Sequence, residues 1–136
     1  MSLLENLPET FMNKRIMTKT IRKDAILTLL EVDSDIVDIS GNVNQILITP
    51  TFTKGSSDGV ILRVYFSTDN TNWKMLSIRS NDGTYDSYAE NPILITTEEP
   101  IEIPIPVKTG YVKVSAQGTT DITNTSLQLD ITVGNV

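Results

Sequence analysis

The sequence predicts a single all-β domain, an antiparallel two-layer sandwich of about eight strands that is Ig-like or jelly-roll-like in outline. The chain has 16 Ile, 10 Val and 18 Thr but only three Ala, and β-branched residues favour strands over helices. Short apolar segments separated by turn residues recur roughly every 8 to 12 residues, which is typical of sandwiches. At 136 residues the chain can bury one core without disulfides or metals.

The first 23 residues are predicted to be a basic arm in front of a sandwich domain of residues 24–136. They mix apolar and basic residues without a helical or strand period, and they contain Pro8. Five bases and two acids give the arm a net charge of +3, whereas the remaining chain, with six bases and fifteen acids, carries −9. We expect the arm to bind an acidic neighbouring subunit rather than to remain merely solvated, through Leu3, Leu4, Leu7, Phe11, Lys14, Arg15, Ile16, Lys19, Arg22 and Lys23.

The strands of the predicted sandwich follow from apolar runs and from strict alternation. They cover residues 25–32, 36–39, 43–53, 60–67, 73–79, 93–96, 101–107, 111–116 and 127–133. Pro50 indicates an edge or a bulge, and Pro104 and Pro106 place their strand at a sheet edge, because proline cannot donate to the ladder. Residues 80–92 are predicted to be a long loop. The expected core comprises Leu62, Val64, Phe66, Val112, Val114, Leu127, Leu129, Ile131 and Val133.

Composition narrows the range of functions. The chain has no Cys and no His, which excludes disulfides, thiol nucleophiles, His-containing catalytic triads and the usual zinc sites. Acidic triplets at 33, 35 and 38 and at 82, 86 and 90 offer oxygen ligands, but they lack the order of a calcium loop, so solvated turns are the preferred interpretation. We therefore predict no enzyme, no catalytic residues, no cofactor and no metal site.

A candidate ligand loop contains Trp73, Tyr85 and Tyr88, because flat rings can hold a sugar. The competing interpretation is that the single Trp packs in the core or against a hairpin. Nucleic acid is not an expected partner, since the body is acidic and the arm has few aromatic residues. A membrane is not expected either, because every apolar run is too short to span a bilayer.

The hairpin sequence 64–76, VYFSTDNTNWKML, is followed by GYVKV at 110–114. This pattern of strand, Ser-x-Asp-x-x-x-Trp, strand and a later Gly-Tyr-Val-Lys-Val strand resembles small β-sandwich proteins of tailed-bacteriophage particles. The resemblance covers about residues 43 to 133, and carbohydrate-binding and fibronectin-like modules share its motifs.

The resemblance implies a non-enzymatic virion component made in the host cytoplasm, such as a capsid decoration, neck or tail protein. Its expected partners are other virion proteins, such as capsid or tail subunits, and further copies of itself in a homo-oligomer. The alternative hypothesis is a carbohydrate-binding or adhesion module that uses the three aromatic residues of the candidate ligand loop.

Overall fold

The computed structural model describes residues 15–41 and 43–135, and in these residues the chain is an all-β sandwich, as the sequence predicts. All strand pairs are antiparallel. The strands are β1 (Arg15–Ile26), β2 (Val32–Asp33), β3 (Val37–Asp38), β4 (Gln45–Thr53), β5 (Val60–Ser67), β6 (Lys74–Met75), β7 (Ser77–Asn81), β8 (Asp86–Glu90), β9 (Ile93–Ile95), β10 (Ile103–Ile105), β11 (Tyr111–Gly118) and β12 (Ser126–Asn135).

The first sheet has the order β1-β12-β4-β10. Along β12 every second side chain is buried, and Leu127, Leu129, Ile131 and Val133 face the core. Strand β10 is an edge strand, which confirms the prediction from its prolines. Pro50 instead lies in β4, an inner strand, but β10 pairs only with residues 46–48, so β4 has no β10 neighbour beside Pro50.

The second sheet has the order β2-β11-β5-β6, with β3 also pairing with β11 and β9 with β5. Its inner face contributes Val60, Leu62, Val64, Val112 and Val114, all at most 1% exposed. The predicted core is thus confirmed except at Phe66, which packs against the core but is only partly buried.

Strand β1 differs from the prediction, because it begins at Arg15 and residues 15–23 therefore belong to the sandwich rather than to an arm. The alternation is hidden in the sequence by register shifts between Thr20 and Arg22 and between Arg22 and Ala25, where extra residues interrupt the period of two. Ile21 reaches the core at 2% exposure. Of the other arm residues, Leu3, Leu4, Leu7, Phe11 and Lys14 lie outside the described residues.

The predicted loop 80–92 also differs, since β7 and β8 form a separate two-stranded hairpin there. Apart from Ile78, its strands contain no β-branched residue and are rich in Ser, Asn and Asp, so the usual strand signal is weak. The turn is closed locally: Asp82 Oδ1 accepts hydrogen bonds from the amides of Thr84 and Tyr85, both at 2.9 Å. Gly83 supplies the positive φ of 96° that the turn requires.

Candidate functional site

An exposed apolar surface lies where the chain passes from β1 to β3. Five large apolar side chains in eleven residues are between 41% and 77% exposed, namely Ile26, Leu29, Leu30, Val32 and Ile36. We call them the 26–36 surface. Single exposed apolar residues are ordinary, but five of them within eleven consecutive residues offer apolar area for a contact with another protein.

The backbone beneath the 26–36 surface is fixed to both sheets. The Gly118 amide donates to the Thr28 carbonyl at 2.8 Å, and Gln117 Nε2 donates to the Leu29 carbonyl at 2.9 Å. Farther along, the Ser34 amide bonds the Val114 carbonyl at 2.8 Å, and the Asp35 amide bonds the Ile21 carbonyl of β1 at 2.9 Å. The apolar side chains are therefore displayed on an ordered backbone, so that less conformational entropy is lost when a partner covers them.

Charged side chains on the outer face of the second sheet anchor the same segment. Tyr65 Oη donates to Glu31 at 2.6 Å, and Arg63 Nη1 lies 3.7 Å from the same carboxylate. Burial and the Glu31 carboxylate raise the pKa of Tyr65 to about 12. Lys113 Nζ pairs with Asp33 at 3.0 Å. These contacts fix the two acidic residues that flank Val32.

Trp73 belongs to this polar cluster. Its ring lies 4.5 Å from Lys113 Nζ, a cation–π contact, and the side chain is partly buried. The Ser115 hydroxyl on the same face is fully buried, and within the described part of the chain it forms no well-aligned hydrogen bond. Its proximity to the Tyr65 hydroxyl opposes part of the rise in the pKa of Tyr65. The placement of Trp73 favours the packing interpretation of this residue over a role in an open aromatic platform.

The basic residues of β1 have different environments. Arg22 spans the bulge of the strand, with Nε bonded to the Leu127 carbonyl at 3.0 Å and Nη2 to the Ala25 carbonyl at 3.2 Å. Burial lowers the pKa of Arg22. Lys19 and Lys23 are exposed, and Lys19 is paired in register with the core residue Ile131, so it sits on the inward side of an edge strand. An inward lysine on an edge opposes addition of another strand.

A groove of about 770 Å³ lies between the turn that follows β5, the base of the β7–β8 hairpin and the loop before β11. We call it the hairpin groove. The loop before β11 comes close to the end of β5 at Gly110, where any Cβ would overlap the Ser67 carbonyl oxygen. The φ of Gly110 is 102°, which also favours glycine. The residues that line it are Phe66, Ser67, Thr68, Asp69, Asn72, Lys74, Met75, Leu76, Ser77, Arg79, Tyr88, Lys108 and Thr109.

The carboxylate of Asp69 is held rigidly in the groove. It accepts the amides of Asn72 at 2.8 Å and Thr71 at 2.9 Å, the Asn72 side-chain amide at 2.8 Å and the Ser67 hydroxyl at 2.9 Å. These donors hold the pKa of Asp69 far below its usual range, so it stays ionised. The Ser-x-Asp motif of the sequence is therefore a turn-stabilising element.

The three aromatic residues of the candidate ligand loop do not share one surface. Tyr88 lines the hairpin groove, whereas Trp73 and Tyr85 are not among its lining residues. Tyr85 lies in the turn of the β7–β8 hairpin and is 74% exposed. Sequence reasoning missed the basic groove residues, because Lys74, Arg79 and Lys108 belong to three separate segments without a common motif.

Members of both acidic triplets have partners within the fold. Asp33 pairs with Lys113, Asp86 with Arg79 at 3.0 Å, and Asp82 accepts two turn amides. Within the described residues there is no group of three or more acidic side chains arranged to hold a metal ion. In the same part of the chain no helix is long and apolar enough to cross a membrane.

Comparison of the chain with protein families, with characterised proteins and with solved structures gives no match. None of these comparisons links it to phage particles. The fold class is an antiparallel β-sandwich, and function has to be argued from its surfaces.

Proposed function

We propose that the protein is a non-enzymatic structural component of a bacteriophage particle, a capsid decoration, neck or tail protein, made in the host cytoplasm and assembled into the virion. The observation that carries the proposal is the 26–36 surface, an apolar group on a backbone that hydrogen bonds to both sheets. Such a surface suits a permanent contact with another copy of the chain or with a capsid or tail subunit.

The charge distribution supports attachment to an acidic neighbour. Exposed Lys19 and Lys23 lie on β1, the strand that leads into the 26–36 surface, while residues 24–136 carry −9. Contact between a basic strand and an acidic body of the next copy would align subunits head to tail, and repetition around a symmetric particle multiplies weak contacts. The part of the predicted arm at residues 1–14 lies outside the described residues, and its binding role stays a prediction.

The alternative function, a carbohydrate-binding or adhesion module, has one specific observation in its favour. Tyr88 lines the hairpin groove together with hydroxyl and amide side chains. The three aromatic residues predicted from the sequence are less suitable as one sugar-binding platform, because the Trp73 ring contacts the Lys113 ammonium group. A particle protein can also carry a ligand site, so the two functions are compatible.

Particle fractionation tests the proposal. Phage particles are banded on a density gradient from cultures of the source strain, and gradient fractions are probed with an antibody raised against this chain. The protein is expected to band with packaged DNA and to resist removal by moderate salt, because apolar contacts are not screened. Recovery only in the fractions of free protein would contradict the proposal.

A further inference from the structure

The charge of the hairpin groove contrasts with that of the rest of the sandwich. Residues 24–136 contain only six basic side chains, and three of them, Lys74, Arg79 and Lys108, line the groove beside a single acid, Asp69. The local net charge is thus +2 in a body that carries −9. Two of the three cations, Lys74 and Lys108, form no ion pair within the described part of the chain, while Arg79 pairs with Asp86.

The neutral part of the groove combines a ring with small hydrogen-bonding groups. Tyr88 stands opposite Arg79 in the β7–β8 ladder and is 68% exposed, so one face of the hairpin presents a ring and a cation together. Phe66, opposite Lys74 in the β5–β6 pair, repeats this combination and is partly buried. Four hydroxyl side chains and one amide also line the groove, together with the apolar Met75 and Leu76: Ser67, Thr68, Ser77, Thr109 and Asn72.

We propose that the hairpin groove binds an acidic saccharide, a sugar chain bearing carboxylates. Sugar rings pack flat against aromatic side chains, and sugar hydroxyls exchange hydrogen bonds with Ser, Thr and Asn. Asp69 Oδ2 accepts one hydrogen bond within the described residues, from the Asn72 side-chain amide, and can accept a second one from a sugar hydroxyl. Lys74 and Lys108 supply the cations for the carboxylates. This site does not depend on the particle role of the protein.

The binding test uses the full-length chain and amide-resolved NMR titration with tri-galacturonic acid. Maltotriose is the neutral comparison, hexaglutamate tests an acidic peptide, and inorganic phosphate tests a simple anion. Saturable shifts at Asn72, Lys74, Tyr88 and Lys108 with tri-galacturonic acid, and at least about fivefold weaker binding of the other three, would support the site. Equal or tighter binding of hexaglutamate, equal binding of phosphate, or no saturable shift with tri-galacturonic acid would overturn it.

Matched variants connect the binding to the groove. Tyr88→Ser and Lys108→Gln should each weaken tri-galacturonic acid binding by about three- to tenfold. Tyr85→Ser removes an equally exposed ring from the same hairpin, and Lys54→Gln removes a lysine outside the groove, and both should bind as the native chain does. All four side chains lie outside the core, and unchanged dispersion of the other amides will show that each variant is folded. The assignment would be refuted if Tyr85→Ser weakened binding as much as Tyr88→Ser, or Lys54→Gln as much as Lys108→Gln.

Discussion

The 26–36 surface makes a quantitative prediction about self-association. Leu30 is 77% exposed, and fully burying a leucine contributes about 1.5 to 3 kcal/mol, so covering Leu30 in a contact is worth about 1 to 2 kcal/mol. Leu30→Glu removes this favourable free energy of burial and adds the cost of removing a carboxylate from water. We expect the dissociation constant of the assembly to rise by at least about tenfold.

Leu94→Glu is the matched control, because Leu94 is also a largely exposed leucine, at 60%, but belongs to β9 and not to the 26–36 segment. Sedimentation velocity over a range of protein concentrations compares both variants with the native chain, and thermal denaturation checks that each is folded. Both side chains are exposed, so neither variant should lose much stability. Equal weakening by the two substitutions, or no weakening by Leu30→Glu, would refute the reasoning.

Three further predictions concern the fold and its charges. Leu129→Ala should lower the free energy of unfolding by about 2 to 4 kcal/mol through a core cavity, and Gln128→Ala should change it little; equal shifts in the urea midpoint would show that the register of β12 is wrong. Deleting residues 1–14 should leave the circular dichroism spectrum of the sandwich intact. Deleting residues 1–26 should unfold the protein, because β1 and its core residue Ile21 are lost. A folded product of the longer deletion would contradict the placement of β1. The fold raises the pKa of Tyr65 to about 12, so the stability that its hydroxyl contributes is complete below about pH 10 and is lost as the pH rises through 12. The unfolding midpoints of the native chain and of Tyr65→Phe should therefore converge between about pH 10 and pH 12. A constant difference between the two midpoints would count against the hydrogen bond to Glu31.

Strict alternation made the core predictable from the sequence. In β12 and β11 every second residue is apolar, and the side chains of Leu129 and Val114 are buried as expected. The start of the fold was missed because bulges interrupt the period of β1, and the β7–β8 hairpin was missed because its strands are polar and exposed. In both places the strand is not marked by an alternation of buried apolar and exposed polar residues, which is the pattern that the prediction depends on.

The surfaces were less predictable than the core. Sequence patterning marked residues 25–32 as strand material, but nothing in it indicated that Leu29 and Leu30 would be turned to solvent. The hairpin groove depends on bringing Lys74, Arg79 and Lys108 together from distant segments, which only the pairing of the strands determines. Packing of Trp73 against the fold was one of the two interpretations of the sequence, but its contact with Lys113 was not predicted, because the two residues lie forty positions apart in the chain.

Cryo-electron microscopy of particles from the source strain tests the central claim most directly. The proposed function predicts density for this antiparallel sandwich at symmetric positions of the particle, with Leu29 and Leu30 covered by a neighbouring subunit. Particles without such density, or with the sandwich present and its 26–36 surface facing solvent, would contradict the assignment of this surface to assembly.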